Sequence, residues 1–136
     1  MIVSKTPYRI SFFGGGTDYP QWYNENNGSV LSTSIDKYCY ISCRELPPFF
    51  DHKYRIVYSN EEKINRISQI KHPAVKAILK IYNCNKGLEI HHDGDLPARS
   101  GIGSSSSFCV GLINAISSLN NKICDSKSLS KQAINI

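Results

Sequence analysis

Apolar and polar positions alternate with two periods along this chain, and the change of period divides it into a strand-rich first half and a helical second half. From Met1 to Phe13, Tyr8, Ile10 and Phe12 alternate with Arg9, Ser11 and Phe13, the two-residue rhythm of a strand. Gly14-Gly15-Gly16 stops it. Thr17 or Asp18 then offers an oxygen to cap a short helix carrying Trp22 and Tyr23. Asn26-Asn27-Gly28 signals a turn. Beyond it Ser29 to Ile35 and Tyr38 to Arg44 predict two more strands, the second closed by Pro47-Pro48. Lys53 to Tyr58 alternates again and predicts a neighbouring strand.

The helical period takes over at Pro73, a residue suited to a first helical turn, with Val75, Ile78, Leu79 and Tyr82 on one face. Asn83 to Gly87 ends that helix. Leu88, Ile90 and His92 alternate with Glu89, His91 and Asp93, predicting a strand that runs into a turn at Asp93-Gly94-Asp95. The two histidines read as strand residues, one buried and one exposed. A helix from about Ser105 to Asn120 follows, with Phe108, Leu112, Ala115, Ile116 and Leu119 on its apolar face, and Gly111 permits another element to come close. A last helix starts near Asp125 or Ser126 and carries Leu129, Ala133 and Ile134. The sequence stops inside this apolar rhythm, without a capping glycine or polar tail, and is expected to be the N-terminal portion of a longer design.

Composition narrows the function classes. A chain of 136 residues with 40% hydrophobic and 20% charged residues has the balance of one ordinary globular domain. No apolar run approaches a membrane span, and the N-terminus lacks the basic start and apolar run of a secretory signal. A cytoplasmic location is therefore expected. The net charge of +5 favours anionic ligands. The basic residues are scattered, and Lys71, Lys76 and Lys80 read as a solvated helix face rather than a nucleic-acid stripe. Five cysteines without a CxxC pair read as reduced thiols. Cys39 and Cys43 share a strand face and are expected in the core, and no zinc site is predicted.

The chemistry concentrates in residues 97–107, Pro97-Ala98-Arg99-Ser100-Gly101-Ile102-Gly103-Ser104-Ser105-Ser106-Ser107, between a strand and the strongest helix. Glycines let the backbone turn and approach a ligand. The free amides and positive dipole end of the following helix, with serine hydroxyls beside them, suit a phosphate chain. Known phosphate loops can be tested directly. A Walker A loop needs a Gly-Lys-Ser/Thr close, and no such lysine is present. The dinucleotide fingerprint needs a third glycine where Ser106 stands. A nucleophile elbow needs a closing glycine that Gly103-Ser104-Ser105-Ser106-Ser107 lacks, which argues against serine hydrolase chemistry despite His91 and His92 nearby.

The remaining pattern, Pro-x-x-x-Gly-hydrophobic-Gly-Ser-Ser, resembles the second signature of the GHMP kinases, which reads Pro-x-x-x-Gly-Leu-Gly-Ser-Ser-Ala. Pro97, Gly101, Ile102, Gly103, Ser104 and Ser105 match in order, with Ser106 for the usual alanine. About ninety residues earlier, Thr6-Pro7-Tyr8-Arg9-Ile10 and Gly14 to Tyr19 resemble the first signature as it stands in galactokinase. Gly15 and Gly16 replace a glutamate and a histidine there, a triple-glycine form similar to the bacterial heptose-phosphate kinases.

The resemblance implies an α+β lobe, a mixed β-sheet with helices packed on one face and a left-handed β-α-β crossover, an exception to the usual hand. It implies ATP and Mg2+ as cofactors and transfer of a phosphoryl group to a hydroxyl of a sugar or sugar phosphate. Pro97, Arg99, Gly101, Ile102, Gly103, Ser104, Ser105 and Ser106 would surround the nucleotide phosphates, with the Ser105 hydroxyl as magnesium ligand. Gly15, Gly16, Thr17 and Asp18 would meet the sugar, Asp18 accepting from its hydroxyls. Arg9 would neutralise charge at the transferred group. Two plainer roles stay open: Asp18 as a helix cap, and Arg9 as a strand ion pair.

By the same resemblance, an acidic metal ligand, a general base in many members and a second lobe lie beyond residue 136. Residues 1–136 would be a nucleotide-binding lobe, inactive alone and prone to self-association through apolar surface. Two rival readings are a non-catalytic ligand-binding or interaction module of the same fold, and a related enzyme acting on a non-sugar substrate.

Overall fold

A computed structural model describes residues 1–97 and 100–136. Its strands are β1 (Ile2–Phe13), β2 (Leu31–Glu45), β3 (Tyr54–Val57), β4 (Glu61–Ile64) and β5 (Leu88–Gly94). Its helices are α1 (Pro20–Tyr23), α2 (Pro73–Ile81), α3 (Ser104–Leu119) and α4 (Ser126–Ile134), with a 3₁₀ turn at Ile67–Gln69. The five strands form one mixed sheet in the order β1-β2-β5-β3-β4. Three pairings are antiparallel, and β3 with β5 is parallel, joined through β4 and α2. That join is where a crossover hand arises.

Alternation along the strands puts one apolar face under the helices. Tyr8, Cys39, Ile41, Cys43, Tyr54, Ile56 and Ile90 point there, and all are at most 3% exposed. Val75, Ile78 and Leu79 of α2 and Phe108, Leu112, Ile113 and Ile116 of α3 cover them. Each such burial contributes about 1.5–3 kcal/mol. Cys39 and Cys43 are core residues as expected, and burial pushes their thiols up to about 11 and about 12. At Gly111 the α3 backbone touches the sheet. Ser4 Oγ donates to its carbonyl at 2.8 Å, and an added Cβ would lie 3.0 Å from Thr6 Oγ1 and 3.2 Å from Ile41 Cγ1.

The opposite face carries charge. Arg44 on β2, Glu89 on β5, Arg55 on β3 and Glu61 on β4 alternate in sign across four strands. Glu89 is buried, and its carboxylate accepts from Arg44, from Arg55 at 2.5 Å and stands 3.0 Å from His91. Burial alone would raise its pKa, but hydrogen bonds from His91, Arg44 and Arg55 outweigh it and bring the group down to about 2.

Several expectations need correction. The two strands predicted at Ser29–Ile35 and Tyr38–Arg44 are one, because residues 35–37 bulge against the single Tyr8 of β1 rather than ending the pairing. β4 was not expected at all: its Glu61-Glu62-Lys63 run is an edge strand, where charge guards an open backbone. Neither Thr17 nor Asp18 caps α1; Tyr19 holds the cap position without a side-chain bond. His91 and His92 take opposite faces, but both are half-buried. Among the described residues no helix is long and apolar enough to cross a membrane.

Candidate functional site

The bend before α3 is anchored on both sides. Arg9 N–H donates to Ile102 O at 3.1 Å, joining the bend to β1, and Ser107 Oγ donates to Pro7 O at 3.0 Å from within the helix. Ser100 Oγ closes a turn onto Pro97 O at 2.7 Å. Pro97 and Ile102 therefore hold the bend in place, Ile102 also packing on the core. Arg99 lies outside the described residues.

Gly103 caps α3 at φ 72°, a left-handed conformation that favours glycine. An added Cβ there would also stand 3.3 Å from Arg9 Cγ, so the Arg9 side chain crosses directly over the bend. Gly103 offers no capping side chain, and the first turn holds no acidic residue. The amides of Ser104, Ser105 and Ser106 consequently have no partner within the helix. The positive end of a 16-residue helix lies open beside a guanidinium. Among the described residues Arg9 forms no ion pair, so the plainer role left open for it finds no partner there. Ser105 and Ser106 are exposed, and Ser104 is half-buried at the edge of a cleft.

That cleft, about 790 Å³, is lined by Tyr58, Lys71, His72, His92, Asp93 and Ser104 among others. A smaller hollow of about 220 Å³ shares His72, His92 and Ser104 and reaches Ser105 and Phe108. The His72 ring stacks on Phe108 with centroids 4.8 Å apart, and His92 meets the same ring edge-on at 5.0 Å. Burial lowers both imidazole pKa values; the nearby Glu62 opposes this for His72, and Asp93 opposes it for His92. The net shift favours the neutral form of both rings. None of these aromatic neighbours was predicted as a site residue, because they converge from the end of β3, the N-cap of α2, β5 and α3. A separate hollow of about 430 Å³ on the charged sheet face, lined by Tyr40, Arg44, Glu89 and His91, lies away from the bend.

The second predicted cluster begins at Gly15, six residues beyond Arg9 and just past the end of β1 at Phe13. Thr17 is occupied as a clasp: its hydroxyl oxygen lies 2.8 Å from Gly14 O and 3.0 Å from Ser29 O, and it accepts from Ser29 N–H at 3.1 Å. Asp18 accepts from Gly16 N–H at 2.9 Å through one oxygen, and its other oxygen takes no hydrogen bond among the described residues. Gly15 and Gly16 each have open space where a side chain would stand. A hydrogen-bond acceptor beside two bare backbone positions can receive a polyhydroxylated ligand.

A mixed sheet with helices on one face, and a glycine-serine bend opening a buried helix, define an α+β fold. The pattern of the GHMP kinases N terminal domain matches residues 65–136, and the chain belongs to this family. Its relatives are more particular. It is 28% identical over 126 residues to the D-glycero-alpha-D-manno-heptose 7-phosphate kinase of Campylobacter jejuni, covering 84% of this chain and 36% of that protein. The crystal structure of a D-glycero-D-manno-heptose 1-phosphate kinase from Bacteroides thetaiotaomicron superposes with a TM-score of 0.82 at 22% identity, covering 99% of this chain and 47% of that one. The mevalonate kinase of Methanococcus jannaschii gives 0.71 at 21% identity, with 97% and 44% covered. At such identities the superpositions speak for the fold alone. The chain spans less than half the length of each of these relatives.

Proposed function

We propose that residues 1–136 form the nucleotide-binding lobe of a kinase that transfers a phosphoryl group from ATP to a hydroxyl of a sugar or sugar phosphate, heptose phosphate being the nearest chemistry. One observation carries this reading: the amides of Ser104, Ser105 and Ser106, without a partner among the described residues, open under Arg9 and beside a cleft large enough for a nucleoside. The amides would hold the phosphate oxygens, and Arg9 would offset charge on the group in transfer. The cleft would take the base and ribose against the wall formed by Tyr58 and His72. Asp18 would accept hydrogen bonds from the sugar, whose bulk the bare Gly15 and Gly16 leave room for. The heptose 7-phosphate kinase relative supports the sugar class over a non-sugar acceptor.

Magnesium, when bound, would supply positive charge that offsets the phosphates. The Ser105 hydroxyl is exposed and free of hydrogen bonds among the described residues, so it fits as one oxygen ligand. Among the described residues no group of three His, Cys, Asp or Glu could hold a metal ion. Phosphoryl transfer also needs a positioned nucleophile, and each part works only with the others in place. The chain alone is therefore expected to bind ATP with magnesium and to turn over no sugar phosphate. Calorimetry with ATP and a coupled ADP assay over a panel of hexose and heptose phosphates test both halves. Heat without turnover is the expected result, and absence of ATP binding contradicts the reading.

A further inference from the structure

One buried carboxylate holds the far wall of the cleft. Glu62 lies on β4 with its side chain turned toward the helix layer and is only 7% exposed. Its Oε2 accepts from Lys71 N–H at 2.7 Å, and its Oε1 accepts from His72 N–H at 3.1 Å and from the Tyr58 hydroxyl at 3.0 Å. All three donors belong to residues that line the cleft. A carboxylate costs free energy to bury unless hydrogen-bonded, and a fully satisfied buried network becomes rigid.

The contacts continue from there to the bend. His72 Nδ1 accepts from Val75 N–H at 3.4 Å and so caps α2, while the same ring stacks on Phe108. Tyr58 packs edge-on against His72 with centroids 5.0 Å apart. Phe108 stands in the second turn of α3, four residues past Ser104. Glu62 thus fixes two aromatic rings that face the space beside the bend, without lining that space itself. The bend is held by other bonds, those of Arg9, Ser100 and Ser107.

We propose that Glu62 is a positioning residue for the nucleoside half of the nucleotide: it sets Tyr58 and His72 as a ready-made wall for base and ribose, while the serine bend holds the phosphates independently. This rests on the phosphate-binding reading of the bend. Its signature is a split between two ligands that share phosphates but not a nucleoside. The 136-residue chain, its Glu62→Gln variant and its Tyr58→Phe variant are titrated calorimetrically with a non-hydrolysable ATP analogue and with inorganic tripolyphosphate, both with magnesium. Thermal melts are recorded alongside.

Glu62→Gln is expected to weaken the ATP analogue about tenfold, as for loss of a charged hydrogen-bond acceptor, and to leave tripolyphosphate unchanged. Tyr58→Phe keeps the ring and should give the same split at about threefold. If Glu62→Gln does not fold, Tyr58→Phe decides by the same ratio. Equal losses for both ligands would mean a general structural role and overturn the proposal, as would an unchanged ATP-analogue affinity in the folded variants. Failure of the unaltered chain to bind tripolyphosphate would instead strike the reading of the bend, and the proposal with it.

Discussion

The two halves of β1 live in different surroundings. Residues 2–8 lie against α3, with Ser4 and Tyr8 buried and the bend tied to Pro7 and Arg9. Beyond them the strand runs into an arm, residues 9–38, in which no residue is buried. Phe12, Phe13, Tyr19 and Trp22 are 56, 73, 64 and 48% exposed there. The arm keeps its shape through strand pairing with β2 and through the Thr17 clasp, not through a core. The proposed phosphate-facing half is therefore pre-organised by packing, while the proposed sugar-facing half depends on local hydrogen bonds. An exposed apolar area of this kind marks an interaction surface in ordinary proteins.

Substitution of Gly103 is the strongest way to break this contrast, because it attacks the pre-organised half at its strained point. Gly103→Ala must hold a left-handed backbone and press on Arg9, at a cost of about 1–2 kcal/mol in stability. It should also weaken an ATP analogue at least about tenfold by turning the α3 amides. Urea unfolding with calorimetry checks both, and unchanged binding would detach the bend from the ligand.

Acid gives a smaller and graded effect. Glu89, at about 2 in the folded chain, titrates below an unfolded carboxylate near 4.3, so its contribution is complete above that value. It is lost as pH falls toward the folded value. Stability of the unaltered chain should therefore decline from about pH 4.3 downward more steeply than that of Glu89→Gln. Parallel pH profiles in urea would show that the charge ladder contributes nothing to holding the sheet. The arm should respond least: Phe13→Ser with Trp22→Ser is expected to change stability by no more than about 0.5 kcal/mol per site. The same pair should reduce self-association in light scattering at high concentration. A large loss of stability would mean that the arm has a core after all.

Most of the helix layer was legible because its residues repeat locally. Pro73 and the Val75–Leu79 spacing gave α2, and Phe108 to Leu119 gave α3 within a residue or so. The bend was legible for the same reason, since Gly101, Gly103 and the serines are consecutive. What stayed hidden depends on distant partners. Glu62 looks like one charge among several until Lys71, His72 and Tyr58 donate to it. Thr17 reads as a helix cap until Ser29, twelve residues away, meets its hydroxyl. The bulge at residues 35–37 hid the continuity of β2 because an Asp-Lys pair looks like a break when only one strand is considered.

The most direct measurement is residue-resolved NMR of the backbone amides during titration with a magnesium-bound ATP analogue. The account predicts that Gly103, Ser104, Ser105 and Ser106 move first and furthest, with Tyr58 and His72 following and the arm from Phe12 to Trp22 unmoved. Saturation that leaves those four amides in place, with the largest shifts elsewhere, would contradict it.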